Sequence, residues 1–175
     1  MKVVAFAASS SKRSINKTLV TYAANLIDGA QVDILDLNDY EIPLFSEDAE
    51  EKLGQPELAK AFLQKMADAD AIIVSFAEHN GSYTAAYKNL FDWVSRITRD
   101  VFQNKPVVFL STSPGAGGAG NVLAAAVNSG PHFAADIRAS LSVPSFHKNF
   151  NVEGNSLNAP DIQHKLQRAL KLLSA

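Results

Sequence analysis

The chain alternates two kinds of apolar segment, and that alternation limits its fold more than any other feature. Short β-branched or continuous apolar runs occur at Val3–Ala8, Val32–Leu37, Ala71–Ala77 and Pro106–Leu110, with a fifth within Asp136–Val143. Runs of this length and character predict strands, most of them buried on both faces. Between them lie segments whose apolar residues recur at helical spacing. In Ile15–Ile27 the stripe is Leu19, Val20, Ala23, Ala24 and Ile27, and Gly29 stands where a helix should stop. Pro56 opens a helix carrying Leu58, Ala59, Phe62, Leu63 and Met66. Thr84–Ile97 carries Leu90, Phe91, Val94 and Ile97. An alanine-rich helix lies around Val122–Val127, and Pro160 begins a last one through Leu166, Leu170 and Leu173. The stretch Leu37–Gln55, with Pro43, Gly54 and the acids Glu47, Asp48, Glu50 and Glu51, reads as a long exposed loop.

Five strands alternating with five helices predict an α/β domain with a parallel sheet. Right-handed crossovers then place helices on both faces, and the units are too few to close an eight-stranded barrel. A doubly wound three-layer sandwich remains, expected as one domain over residues 1–175. Composition narrows the chemistry. With no cysteine in the chain, disulfides, thiolate nucleophiles and cysteine-based metal sites are excluded, and a reducing, cytoplasmic setting is expected. A formal net charge of −2 without a basic run offers nothing to nucleic acid or to an anionic membrane. The opening apolar run is about six residues, shorter than the ~7–15 of a signal-peptide core.

In a doubly wound sheet, ligands sit outside the carboxyl ends of the strands where strand order reverses. For the order 2-1-3-4-5 the reversal falls between strands 1 and 3, and the loops after those strands are the most polar junctions in the chain. The first, Ser9–Asn16, runs directly into a helix, whose free N–H groups and dipole favour an anion. Hydroxyls of Ser9, Ser11 and Ser14 and the amide of Asn16 would add donors suited to a terminal phosphate monoester. Capping alone accounts for one serine. The second loop reads AEHNGSY, and its Asn80–Gly81 pair predicts a tight turn with exposed backbone amides. A literal GxGxxG spans Gly115–Gly120, but it follows the fourth strand and lacks an acid about 20 residues on, so it does not mark a dinucleotide pyrophosphate site. The four histidines are scattered without metal-ligand spacing, and no GxSxG elbow exists; neither a metal nor a catalytic residue is expected.

AASSSKRSIN, then FAEHNGSYTAAYKNLFDWVSR, then LSTSPGAGGAGNVL, in that order, closely resemble the NADPH-dependent FMN reductases of the flavodoxin-like fold. The resemblance covers the chain from Val3 to about Val143. It implies a flavodoxin-like α/β/α sandwich with a five-stranded parallel sheet in order 2-1-3-4-5. It also implies FMN as cofactor, NADPH or NADH as co-substrate and a small-molecule electron acceptor. By position, Ser9, Ser11, Ser14, Ile15 and Asn16 would hold the FMN phosphate. Glu78, His79, Asn80 and Gly81 would line the ring edge, and Ser111, Thr112, Ser113, Gly115 and Gly117 would close the far side. Ala77 and His79 depart from the family's proline and tyrosine. Alternatives on the same scaffold are a flavodoxin-type electron carrier, which would call for a stronger surface field than −2 provides, and a protein that binds no flavin.

A homodimer or higher homo-oligomer is expected as well. At 100° per residue Trp93 points about 200° from Phe91 and about 60° from Leu90, which sets it at the margin of the third helix's core stripe. Large aromatics so placed are typical of interface cores; the competing expectation is that Trp93 lies beneath the stretch Leu37–Gln55.

Overall fold

The computed structural model describes residues 1–174; Ala175, the last residue of the expected domain, lies outside them. A parallel sheet of β1 (Lys2–Ala8), β2 (Gln31–Leu35), β3 (Ala71–Phe76), β4 (Pro106–Thr112) and β5 (Asp136–Val143) runs in the order β2-β1-β3-β4-β5. β1 sits between β2 and β3, pairing Val4 with Asp33 on one side and with Ile72 on the other. The central strands β1, β3 and β4 are almost wholly buried, which is why they read as continuous apolar runs.

Alternate residues of these strands point to opposite faces, so the sheet separates two cores. Val4, Phe6, Ile72, Val74 and Phe109 pack beneath α3 (Glu57–Asp68), α4 (Ala85–Ile97) and α5 (Gly120–Ser129). Val3, Ala5, Ile73, Val108 and Leu110 pack beneath α1 (Ile15–Asn25) and α7 (Pro160–Lys171). These are the helices on both faces that the alternation predicted.

Two segments differ from the sequence reading. Residues 37–55 are not an extended exposed loop. They form a 3₁₀ turn, Leu37–Tyr40, and a short helix, α2 (Glu47–Leu53), capped by the Ser46 hydroxyl accepting from the Ala49 N–H at 3.0 Å. Three of the four acids read as loop residues, Glu47, Asp48 and Glu50, occupy the first turn of α2, where they favour the positive end of the helix dipole. Beyond β5, a turn of helix, α6 (Phe146–Asn149), and the small antiparallel pair β6 (Phe150–Asn151) and β7 (Ser156–Leu157) complete the chain before α7. Phe146 and Phe150 stack at 5.0 Å and close the α1/α7 core.

The expected outward placement of Trp93 is corrected. Its side chain is fully buried. Phe45 packs edge-on against the indole at 5.1 Å, and the indole N–H donates to the Pro43 carbonyl at 2.7 Å. Asn89 fastens the same stretch, accepting from the Phe45 N–H at 2.8 Å and donating to the carbonyls of Ile42 and Pro43. Residues 42–45 fold back over α4 and make its second face interior. Tyr87, on the same helix, is buried too.

Candidate functional site

The carboxyl ends of β1, β3 and β4 lie side by side, and the three loops that leave them converge there. The first loop ends on Ser14, whose Oγ accepts from the Lys17 N–H at 3.3 Å and caps α1. Ser9 Oγ accepts from the Ser11 N–H at 3.2 Å. Each of these hydroxyl oxygens takes a backbone N–H and keeps its own proton to donate. The N–H groups of Ile15 and Asn16, in the first turn of α1, have no acceptor among the described residues. Ser11 is exposed beside them. The donors gathered here are three hydroxyls and two free N–H groups, with no carboxylate in the set, and that chemistry fits a phosphate monoester at a helix N-terminus.

Lys17, one turn into α1, forms an ion pair with Asp36 at the end of β2. That contact, with the Asn38 N–H bonded to the same carboxyl, holds the Asp36 carboxyl down at about 2. A depressed carboxyl pKa stabilises the fold above the ordinary carboxylate range, and the contribution is lost as pH falls through about 2. Because the pair is partly exposed, its worth is about 1 kcal/mol rather than the full linkage value. Lys17→Met is expected to lower the unfolding free energy by that amount at pH 7. Urea titrations should show the difference from the parent closing as pH approaches 2, and a difference independent of pH would remove the ion pair as its cause.

In the second loop, His79 and Ser82 exchange both backbone hydrogen bonds, at 3.0 and 3.1 Å, across a two-residue turn. Asn80 and Gly81 both have positive φ, +52° and +76°, the mirror-image turn that Asn-Gly favours. The tight turn predicted from the sequence is present. Glu78 is turned away from it: its carboxylate accepts from the Val122 N–H at 2.9 Å and the Asn121 side chain at 3.3 Å, capping α5 from another loop. α5 has no cap of its own, since Ala119 occupies that position.

Side chains of several expected site residues are committed inside the protein. The Asn16 carboxamide is buried, accepting from Ser75 Oγ at 2.7 Å and the Thr112 N–H at 3.1 Å while donating to the Thr112 carbonyl. It joins α1 to the ends of β3 and β4, and its backbone N–H is the group left facing outward. Ser111 Oγ donates to the Gly118 carbonyl at 2.7 Å, and Thr112 Oγ1 to the Val143 carbonyl at 2.6 Å; both residues are buried. Ser113 Oγ donates to the Gly115 carbonyl at 3.2 Å. What the second and third loops offer outward is largely backbone. A β-carbon at Gly81, Gly115 or Gly117 would meet no other heavy atom within 4 Å, so a flat ring could approach the chain closely at all three.

Sequence reasoning missed the ties that hold the loops. Thr84 caps α4 and donates from Oγ1 to the Ala8 carbonyl at 2.9 Å, linking the second loop to the end of β1. Ser142 donates to the Gly118 carbonyl at 2.9 Å. A hydroxyl at a predicted strand end or helix start was the available signal, but nothing local names its partner. Among the described residues no group of three His, Cys, Asp or Glu could hold a metal ion, and no helix is long and apolar enough to cross a membrane.

Comparison with known proteins agrees with this geometry. The family described as NADPH-dependent FMN reductase matches residues 1–148. An NADPH:quinone oxidoreductase of Arabidopsis thaliana is 34% identical over 122 residues, which are 67% of this chain and 61% of that protein. A 2-hydroxy-1,4-benzoquinone reductase of Burkholderia sp. is 34% identical over 118 residues, 66% of this chain and 62% of the relative. The matched segment thus spans about three-fifths of those relatives. Among solved structures, FerB from Paracoccus denitrificans, a flavoenzyme NAD(P)H:(acceptor) oxidoreductase, superposes with a TM-score of 0.81 at 22% identity, covering 99% of this chain and 95% of that one. At that identity the likeness is one of fold. It agrees with the flavodoxin-like strand order seen here.

Proposed function

The chain belongs to the NADPH-dependent FMN reductase family, and from that premise we propose that it is an FMN-dependent NAD(P)H oxidoreductase acting on a small acceptor such as a quinone, an azo compound or free flavin. The observation that carries the reading is the donor set of the first loop, placed beside β3 at the reversal of strand order. Bound there, FMN would take a hydride from a reduced nicotinamide and return the electrons to the acceptor. Hydroxyls of Ser9, Ser11 and Ser14 and the N–H groups of Ile15 and Asn16 would hold its phosphate. The backbone of Glu78, His79, Asn80 and Gly81 would border the ring on one side, and that of Ser111, Thr112, Ser113, Gly115 and Gly117 on the other. The protein's part is to bind and orient, so no side chain is assigned as catalytic.

The buried ties through Asn16 and Thr84 and the half-buried one through Glu78 support the same reading, because they fix the three loops relative to one another before any ligand arrives. Residues 1–175 act in this reading as one FMN-binding unit. The absence of cysteine supports a cytoplasmic setting. Assembly into at least a homodimer is retained on the family resemblance alone, since Trp93 no longer argues for it; light scattering giving an 18.8 kDa particle at full activity would remove it.

The direct test is calorimetry of FMN and riboflavin against the parent and two Ser14 variants. FMN should bind about one per chain and far more tightly than riboflavin, which lacks the phosphate. Ser14→Ala should weaken FMN by about tenfold or more, as expected for one hydrogen bond to a charged group, and should also cost about 1 kcal/mol of stability through the lost helix cap. Ser14→Gly restores most of the cap and none of the hydroxyl. It should recover stability while FMN affinity stays low. Equal affinity for riboflavin and FMN would overturn the phosphate site.

A further inference from the structure

Reduction of a quinone needs a proton as well as electrons, and the second loop carries one side chain suited to give it. His79 and Ser82 exchange both backbone hydrogen bonds, at 3.0 and 3.1 Å, so their side chains lie on one face of the turn. The flanking residues face the other way. Glu78 reaches the Val122 N–H on α5, and the Tyr83 ring packs against Phe76 and Tyr87. Both are half-buried, whereas His79 and Ser82 are exposed. α4 and α5 cover one face of the sheet and α1 the other. His79 therefore stands on the side of the turn away from α4 and α5, toward the face where the first loop enters α1.

The backbone of His79 is fixed and its ring is free. Neither His79 nor Ser82 has a side-chain hydrogen bond, ion pair or ring contact among the described residues. No packing role thus accounts for an imidazole where the family carries a tyrosine. The other groups that the three loops turn outward are mostly hydroxyls and backbone amides, which keep their protons near neutral pH. The Glu78 carboxylate is committed to α5, and Lys12 and Arg13 belong to the phosphate loop. Of the remaining histidines, His147 is on α6, His132 in the 3₁₀ turn after α5 and His164 on α7.

We propose that His79 is the proton donor to a quinone acceptor, with the Ser82 hydroxyl beside it to hold the acceptor's oxygen. The inference rests on the oxidoreductase reading above and narrows its acceptor to one whose carbonyl oxygens become hydroxyls. Overall, NAD(P)H, one proton and the quinone give NAD(P)⁺ and the hydroquinone. The hydride lost by the nicotinamide accounts for both electrons and one hydrogen. The other hydrogen comes from the imidazolium: its Nε2–H bond breaks as an O–H bond forms on the acceptor, and water then returns a proton to Nε2. Imidazole suits this step because it gains and loses a proton near neutral pH.

The test uses the flavin-loaded protein, reduced anaerobically with NADPH and mixed with one of two oxidants. Menadione takes up protons with its electrons, whereas ferricyanide takes electrons alone. In His79→Gln the ratio of the menadione rate to the ferricyanide rate should fall about a hundredfold. Any effect on flavin binding enters both rates and cancels from the ratio. Imidazole added to His79→Ala should restore the ratio, and His147→Gln should leave it at the parent value. Without turnover, menadiol titrated into the oxidised protein should shift the His79 ring resonances in NMR spectra and not those of His147. A ratio in His79→Gln close to the parent's overturns the proposal, as does failure of imidazole to restore it or a His79 ring that menadiol leaves unmoved. A reduced protein that passes electrons to neither oxidant would overturn the oxidoreductase reading and this proposal with it.

Discussion

Gly118→Ala is expected to lower the unfolding free energy by about 3 kcal/mol, the combined cost of a positive φ and of overpacking. Gly118 has φ +58°, a conformation that an L side chain resists. A β-carbon there would overlap the Ser142 hydroxyl and lie 3.1 Å from the backbone Cα and N of Pro144. The Ser142 side chain could rotate away, but doing so breaks its bond to the Gly118 carbonyl, which Ser111 also donates to. Pro144 is backbone and cannot yield so easily. Combining Gly118→Ala with Ser142→Gly should therefore recover only part of the loss. The third loop should be displaced as well, since the Gly115 carbonyl and Ser113 carbonyl are fixed to the N–H groups of Ser145 and Phe146 on the same wall. Urea unfolding of both variants is the measurement, and a loss below about 1 kcal/mol would show that the loop relaxes around the new methyl group.

Trp93→Ala should cost about 4 kcal/mol, as removal of a fully buried large aromatic usually does. The indole fills the space between α4 and residues 42–45, so truncation leaves a cavity, takes the edge contact from Phe45 and removes one donor from the Pro43 carbonyl. Asn89 still donates to that carbonyl at 3.1 Å, which limits the polar part of the penalty. Trp93→Phe should accordingly cost about 1–2 kcal/mol, mostly lost area and one hydrogen bond. Circular dichroism during urea unfolding reads both variants, because Trp93 is the chain's single tryptophan and its fluorescence is lost with it. The assembly state should not change. A dimer that dissociates in Trp93→Ala while the folded chain keeps its stability would return the residue to an interface role that its burial now denies it.

The part of this protein that the sequence determined is the part set by period and by local conformation. Continuous apolar runs can be satisfied only in strands covered on both faces, and helical stripes between them supply the covers, so the three layers follow from residues 3–143 read in order. The Asn80–Gly81 turn was legible for the same reason, since the positive φ it requires is a property of those two residues. The Ser14 cap was legible too, from a hydroxyl one step before a helical stripe.

The tertiary structure decided what each polar or aromatic side chain would meet. Asn16 bonds Thr112, 96 positions away, and Glu78 caps a helix 44 positions on. Both read as ligand contacts because a carboxamide or carboxylate beside a polar loop looks the same whether its partner is a ligand or a distant backbone group. Trp93 read as an outward residue because the helical wheel places a side chain relative to its own helix and says nothing about residues 42–45 folding across it. α2 was missed because Pro43 and Gly54 flank it and none of its residues is buried, so it carries no apolar stripe to betray a helical period. Local propensity is encoded along the chain, whereas the pairing of donors with acceptors depends on which segments the folded sheet brings within hydrogen-bonding reach of one another.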